Sequence, residues 1–572
     1  MTSLITQPQL LASAAAEVSS INSTLNEATA AAAGPTTSVM AAAQDEISAI
    51  TAQLFGAYGQ EYQALLAQAS AFHGQFVAAL ASAGNAYAQT EADIAAALGL
   101  GGAPAPVFGA APPDPNVPVL ANLIMTGSGT ATPSPTYLNN VASRYLSGLY
   151  GGNNYIGALQ AVSTAEGLYP YTGVKDLTLD ISLARGVTEL NNAITAVLGP
   201  APTGNVVSVL GYSQSSIIAS LEMPKLIAEG YNSSNVYFTL LGDPANPNGG
   251  LIARFPGLTL PSLGLTFGTS TPSNLFHTDI YTLEYDGFAD FPRYPINFLS
   301  DLNALAGIVF IHGSYPTLTS AQLGASYLLP GSESLGTPGS MTDYHLIPTQ
   351  NLPLLTPLRA LPIIGDPLAD LIQPDLRAIV NWGYGDPNYG YSTSPSNVQT
   401  PFGFLPPLSA TTALGPLLVT GTQQGVSAFT KDLANILPSA QATGNAALSA
   451  LTAPSASIPA NLPDLIAAIQ NANNNIVGTF TSDVSTAYAT LLPTADIATA
   501  VAISVPSYDV NLFLDGISEA ITVDPVQGLL DAFGRPIAAD VGLVTLAGGF
   551  EALNFVNAGR TILTGVPAPG PN

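Results

Sequence analysis

The sequence predicts an α/β protein with a helical hairpin ahead of it and a largely helical region behind it. Three observations carry this. Residues 1 to about 98 place apolar side chains at the 3.6-residue period of a helix. From about 119 to 395, short apolar runs alternate with helical segments, the pattern of a mostly parallel sheet with helices on both faces. From about 396 to 572 the chain is rich in Ala, Pro and Thr, and helical stretches such as "IPANLPDLIAAIQ" recur.

In the first segment, Leu11, Val18, Ile21 and Leu25 share one helical face. "AGPTT" at Ala33–Thr37 stops the helix, because Gly34 suits a C-terminal cap and Pro35 cannot continue the ladder. A longer helix follows, with Ile47, Ile50, Leu54, Tyr58, Leu65, Phe72, Phe76, Ala83 and Tyr87 in period. Two helices bury little on their own, so the hairpin needs either a partner helix pair or the downstream domain. "LGLGGAPAPVFGAAPPDPNVP", residues 98–118, has too much Gly and Pro for helix or central strand and reads as a linker over 99–118.

The segment from about 119 to 395 is expected to run in order. "VLANLIM" is a strand ending in "TGSGTATPSP", and "TLDISLARGVTELNNAITAVLG" is a helix with Asp180 as its N-cap. "NVVSVLGYSQSSIIASLEM" is strand, turn and helix. "NVYFTLLGDPANPNGG" and "DIYTLEYDGFADFP" are each a strand with a following loop.

Composition excludes several classes of function. The net charge of −26 repels a phosphate backbone, so nucleic acid is not an expected partner. No cysteine is present, which removes disulfides, a thiol nucleophile and thiolate metal sites. No metal or cofactor is expected, because no His-x-x-x-His, phosphate loop or dinucleotide fingerprint occurs. Only 8% of residues are charged, against about 25% in ordinary soluble proteins. Such a surface suits work beside lipid or against a partner chain. Pro, Gly, Asn and Asp interrupt the apolar runs, so no transmembrane helix is expected. The N-terminus lacks a basic n-region, the first Lys or Arg being Arg144, so no general secretory signal is expected either.

The chemistry gathers at Gly211-Tyr212-Ser213-Gln214-Ser215. A nucleophile elbow needs a strand that delivers the serine, small residues two before and two after it, and a helix that starts at once. "VVSVL", Gly211, Ser215 and "SSIIASL" supply these, with Ser215 where Gly is commoner. Ser213 is therefore the candidate nucleophile, and the N–H of Gln214 is one candidate oxyanion donor. A second donor is expected from the loop after the first strand, where Gly127, Ser128 and Gly129 let the backbone come close; Ser128 represents it.

Two resemblances follow from these residues. The stretch "MTSLITQPQLLASAAAEVSSINSTLNEATAAAAGPTTSVMAAAQDEISA" resembles the PE domain of mycobacterial PE proteins. That resemblance implies a PPE-type partner protein and export by type VII secretion to the cell wall or beyond. "YAQTEAD" fits the family's Tyr-x-x-x-Asp/Glu export signal through Tyr87 and Glu91, which lie on one helix face. "GYSQ" in its setting resembles the cutinase branch of the serine α/β-hydrolases and, more closely, the PE-PPE hydrolase domain over about 119–395. The resemblance implies an Asp and then a His after the serine.

Four histidines are available. His73 lies in the hairpin and reads as a helix-surface residue. His277 precedes "EYDGFAD" and is out of order for that Asp. His312, in "GIVFIHGSYP", sits past an apolar segment and resembles the cutinase-type His-x-x-Tyr with Tyr315. It is the preferred base, with His345 in reserve. For the acid, Asp290 is preferred over Asp286, because Gly287-Phe288-Ala289-Asp290 fits a G-x-x-D loop. Asp243 reads as a turn residue with Pro244. The resulting expectation is a serine esterase or lipase acting on acyl-ester or lipid substrates. The alternatives are an acyltransferase with the same triad, or a non-catalytic surface protein that works through its hairpin.

Overall fold

The computed structural model describes residues 119–146, 157–199, 205–361, 364–443 and 492–564. The expected hairpin over 1–98, the linker over 99–118 and the "IPANLPDLIAAIQ" stretch lie outside the described residues. All described residues fall in one compact unit, Ala110–Asn572.

The strands of a seven-stranded sheet are β1 (Val119–Ile124), β2 (Ala158–Ala161), β3 (Val206–Tyr212), β4 (Val236–Leu241), β7 (Thr278–Leu283), β8 (Tyr327–Leu328) and β9 (Thr342–Ile347). Apolar runs of six or seven residues become its central strands β1, β3 and β4. The seven strands pair in the order β2-β1-β3-β4-β7-β9-β8, all parallel except β8 against β9. A short antiparallel pair, β5 (Thr259–Leu260) with β6 (Leu265–Thr266), stands apart. Every residue of β3 is buried, as expected for a central strand covered on both faces. Its side chains alternate. Val207 and Val209 join one core cluster, and Leu210 and Tyr212 join another on the opposite face. The first face is covered by α1 (Leu179–Leu198) and α2 (Gln214–Ala228).

Two local readings change. Thr178, not Asp180, precedes α1. The Asp180 carboxylate instead accepts from Thr266 N–H and Oγ1–H, tying the helix start to β6. β2 is largely exposed and carries no apolar run, so hydropathy did not reveal it.

The chain reverses its direction of travel across the sheet at β1, which has β2 on one side and β3 on the other. In open α/β sheets the crevice beyond the strand C-termini at such a switch point is where ligands bind. Here that crevice lies between the loop after β1 and the turn after β3.

Beyond the sheet, α3 (Phe298–Phe310) leads to a short 3-10 turn, His312–Thr317. From 396 on, the described residues are largely helical. α5 (Leu408–Thr443) packs on α4 (Gly365–Trp382), while α6 (Leu492–Thr522) and α7 (Pro525–Thr564) form an antiparallel pair. Val505, Leu512, Leu543 and Leu546 from this pair are buried with Leu251, Phe255 and Phe291 in one core cluster. At about 1.5–3 kcal/mol for each fully buried side chain, those four residues hold the pair firmly to the sheet-bearing part. The described residues on either side of 395 therefore share a core.

By length and composition, Leu492–Thr522 and Pro525–Arg560 could each cross a membrane. The apolar stretches here are longer than the interrupted runs expected from the sequence. The isolated Pro and Asp residues that seemed to break the apolar runs are accommodated within continuous helix. Several outer side chains of the pair, including Ile521, Val523, Val526 and Phe533, are exposed.

Gly307 on α3 lies against the turn that follows β7. A Cβ there would come within 1.8 Å of the Tyr285 carbonyl oxygen, a backbone atom that cannot step aside alone. Gly307→Ala is expected to lower unfolding free energy by about 1–3 kcal/mol, measured by urea unfolding, and to lower any activity that depends on that turn.

Candidate active site

The turn after β3 carries Ser213 at φ 56° and ψ −118°, a left-handed conformation for a residue with a side chain. Such strain persists only where the surroundings over-determine it. The strand hydrogen-bonds into place through Ser213 N–H to Leu241 O at 2.9 Å, and α2 begins at the next residue. A Cβ on Gly211 would meet the Ser215 carbonyl at 2.8 Å, so strand and helix are as close as glycine allows. Ser215 is more than a tolerated replacement for glycine. Its Oγ accepts from Tyr212 N–H at 2.8 Å and donates to Tyr212 O at 3.1 Å, clamping the elbow.

His312 opens the 3-10 turn after α3, and its Nε2 lies 2.8 Å from Ser213 Oγ. Its Nδ1 lies 2.8 Å from Asp286 Oδ2 and 2.9 Å from Oδ1. A carboxylate only accepts, so Nδ1 carries the proton and Nε2 is left to accept from the serine. The ring is held on both sides. Tyr212 stacks on it at 5.5 Å, with its hydroxyl donating to His312 O at 2.7 Å, and Phe288 meets it edge-on at 4.8 Å. In the sequence Tyr212 and Phe288 stand out only as members of the serine and G-x-x-D motifs, with no role beside the histidine.

The acid beside His312 is Asp286, not Asp290. β7 ends at Leu283, and Tyr285 takes φ 70°, which turns the chain back at once and brings Asp286 beneath the imidazole. The fully buried Asp286 carboxylate also accepts from Tyr315 Oη at 2.8 Å and from Phe288 N–H at 3.1 Å. Tyr315 Oη in turn accepts from Leu283 N–H at 2.8 Å, so the His-x-x-Tyr spacing joins base and acid in one network. Asp290 faces the other way. It accepts from Tyr285 N–H at 2.9 Å and lies near the buried Arg254 guanidinium. Burial raises its pKa well above the usual carboxylate range, with Arg254 opposing that rise. Asp290 thus braces the turn that aims Asp286.

The other candidates fall elsewhere. His345 on β9 bonds Asp279 Oδ1 at 3.0 Å and stacks on Tyr281. His277 bonds Glu333 Oε2 at 2.9 Å just before β7, at the opposite sheet edge from Ser213. Asp243 is buried among Thr271 Oγ1 and Ala245 N–H, and burial pushes its pKa up to about 6. His73, Tyr87 and Glu91 lie outside the described residues. Among the described residues Asp279, Asp343 and His345 have ligand atoms within 4.8 Å of one another. The β7–β9 pairing creates this group, which linear spacing did not show. Its acceptors are already engaged, Asp279 by His345 and Asp343 by Ser334.

Gln214 and Ser128 meet beside the nucleophile. Ser128 Oγ donates to Gln214 Oε1 at 2.7 Å, and Gln214 Nε2 donates to Ser182 Oγ at 2.8 Å. The backbone N–H of Gln214 opens α2, where the helix dipole favours developing negative charge. The loop after β1 comes so close that a Cβ on Gly127 would meet Ser213 Cβ at 2.9 Å. Gly129 N–H is committed to Glu166 O at 2.7 Å and so does not face Ser213.

Comparison with known proteins agrees with this architecture. A family profile for the PE family matches residues 4–94, and one for the PE-PPE domain matches 157–385. The chain is 46% identical to the uncharacterized PPE family protein PPE28 of Mycobacterium tuberculosis over 78% of this chain and 67% of that protein. It is 40% identical to Esterase PE16 of the same organism over 70% of this chain and 71% of that protein. The chain belongs to the PE family and carries a PE-PPE domain. A more distant relative is Diacyltrehalose acyltransferase Chp2, also of Mycobacterium tuberculosis, 27% identical over 42% of this chain and 67% of that protein.

The PE-PPE domain profile spans Ser213, Asp286 and His312. Asp286→Asn is expected to lower kcat for an ester substrate by about 10⁴-fold, because the amide no longer fixes the Nδ1–H tautomer. Asp290→Asn, which leaves the His312 contact in place, is expected to cost far less kcat and to show chiefly as a lower melting temperature. Steady-state kinetics and thermal melts of the two variants check this.

Proposed function

We propose that this PE-PPE protein is a serine ester hydrolase. The observation that carries the reading is the unbroken run of short contacts from Ser213 Oγ through His312 to the buried Asp286. The Esterase PE16 relative and the PE-PPE domain support ester hydrolysis in general.

In this reading His312 Nε2 takes the Ser213 proton as Oγ attacks the ester carbonyl. The carbonyl oxygen becomes an oxyanion held by the Gln214 N–H and the loop at Ser128. The imidazolium then gives its proton to the departing alcohol, leaving an acyl-serine. Water, activated by the same imidazole, releases the acid and restores the serine. Asp286 stays ionised throughout and stabilises the imidazolium. An alcohol in place of water would give acyl transfer, the activity named for the relative Chp2. Product analysis with an added sugar or glycolipid acceptor separates the two outcomes.

The domain division is part of the proposal: a PE hairpin over 1–98, a linker over 99–118, a catalytic part over 119–395 and a helical extension over 396–572. The PE match supports export by type VII secretion, with Tyr87 and Glu91 as the signal, a PPE-type partner on the hairpin, and a cell-wall or secreted location.

Ser213→Ala is expected to lower kcat on p-nitrophenyl acyl esters by a factor on the order of 10⁶, with an unchanged circular-dichroism spectrum. A variant that hydrolyses them at the parental rate contradicts the reading.

A further inference from the structure

A cavity of about 210 Å³ opens on Ser213, and Ser128 and Gln214 also line it. Beyond these groups the lining is mostly hydrocarbon, the other polar side chains being Tyr169, Tyr171, Asn554 and Asn557. One wall comes from the sheet-bearing part, through Leu179, Ile217, Leu251 and Phe267 among others. The facing wall comes from α6 and α7, through Ile497, Val505, Leu543, Leu546, Ala547 and Phe550. These residues lie more than a hundred positions beyond the end of the PE-PPE match at 385.

The facing wall is fixed to the rim of the site. Tyr169 Oη donates to Asp496 Oδ2 at 2.5 Å, and Ser262 Oγ donates to Asp496 O at 2.9 Å. Tyr508 Oη donates to Pro256 O at 3.1 Å, and Tyr171 meets Phe550 edge-on at 6.1 Å. A π-helical turn at Ala500–Ser504 interrupts α6 where it passes the cavity, and Ala500 and Val501 join the lining there. Such turns are frequent at functional sites.

We infer that the α6–α7 pair is the acyl-selecting wall of the active site and that the cavity takes the linear hydrocarbon chain of the ester's acyl group. This rests on the ester-hydrolase reading of Ser213. The lining decides the chemistry. A sugar or peptide placed among these side chains would leave its polar groups without partners, at about 1–3 kcal/mol each, whereas a hydrocarbon chain gains from burial. The candidate oxyanion donors sit beside Ser213, and the rest of the lining is mostly apolar, with Asn554 and Asn557 among its few polar side chains. Residues of the C-terminal pair therefore set chain-length preference.

The test uses the full chain and the ratio of kcat/KM for p-nitrophenyl octanoate to that for p-nitrophenyl acetate. Ala547→Phe and Leu546→Trp fill the cavity from two positions, and each is expected to lower the ratio at least tenfold. Phe550→Ala enlarges it and is expected to shift the optimum to longer chains. Ile521→Ser, on the exposed outer side of the pair, is expected to leave the ratio unchanged. Unchanged ratios in both filling variants overturn the inference while leaving ester hydrolysis standing. If the parent hydrolyses neither ester, the ester-hydrolase reading fails, and binding of 11-(dansylamino)undecanoic acid decides the cavity separately. Binding that Ala547→Phe weakens at least tenfold supports a hydrocarbon site, and no binding to the parent overturns it.

Discussion

The site depends on one buried contact, the hydrogen bond between His312 Nδ1 and the Asp286 carboxylate. A carboxylate taken fully out of water is stable only with its oxygens satisfied. Here His312, Tyr315 Oη and the Phe288 N–H meet that need. The same contact fixes which imidazole nitrogen faces Ser213. Everything around it serves the alignment. Tyr212 holds the histidine backbone and face, Tyr315 joins the acid to the end of β7, and Asp290 braces the Tyr285 turn. Three segments far apart in sequence are thereby locked at one sheet edge.

Much of this was legible in the sequence, for identifiable reasons. Strands buried on both faces, such as β3, leave continuous apolar runs that are hard to mistake. Ser213 was marked by the strand before it and the helix after it, and the scarcity of histidine left few bases to weigh. The acid was misread because its position depends on a positive φ at Tyr285. Only glycine advertises that conformation in a sequence, and tyrosine gives no sign of it. Asp290 had the better linear pattern, but the turn sends its side chain to the Tyr285 N–H. β2 escaped because its residues are exposed and carry no hydrophobic signal.

The C-terminal helices were the least legible part, although their helical character was clear. Their Ala- and Leu-rich sequence carries no recognisable motif, and only the fold places them against the cavity at Ser213. Their apolar faces divide between core and surface. One side of the pair meets Phe255 and Phe291 in a shared core, and several outer residues present exposed apolar side chains. The cavity at Ser213 thus has one wall from the sheet-bearing part and an apolar wall from a separate stretch of chain. On the proposed reading, α6 and α7 set chain-length preference while Ser213, His312 and Asp286 stay in place.

The central claim is that Ser213 is a nucleophile activated through His312 and Asp286. Covalent labelling of the full chain with a fluorophosphonate, followed by peptide mass spectrometry, tests it most directly. The account predicts one label per chain, on the peptide containing Ser213, with much slower labelling in an Asp286→Asn background. Absence of labelling, or a label on a different serine, would contradict it.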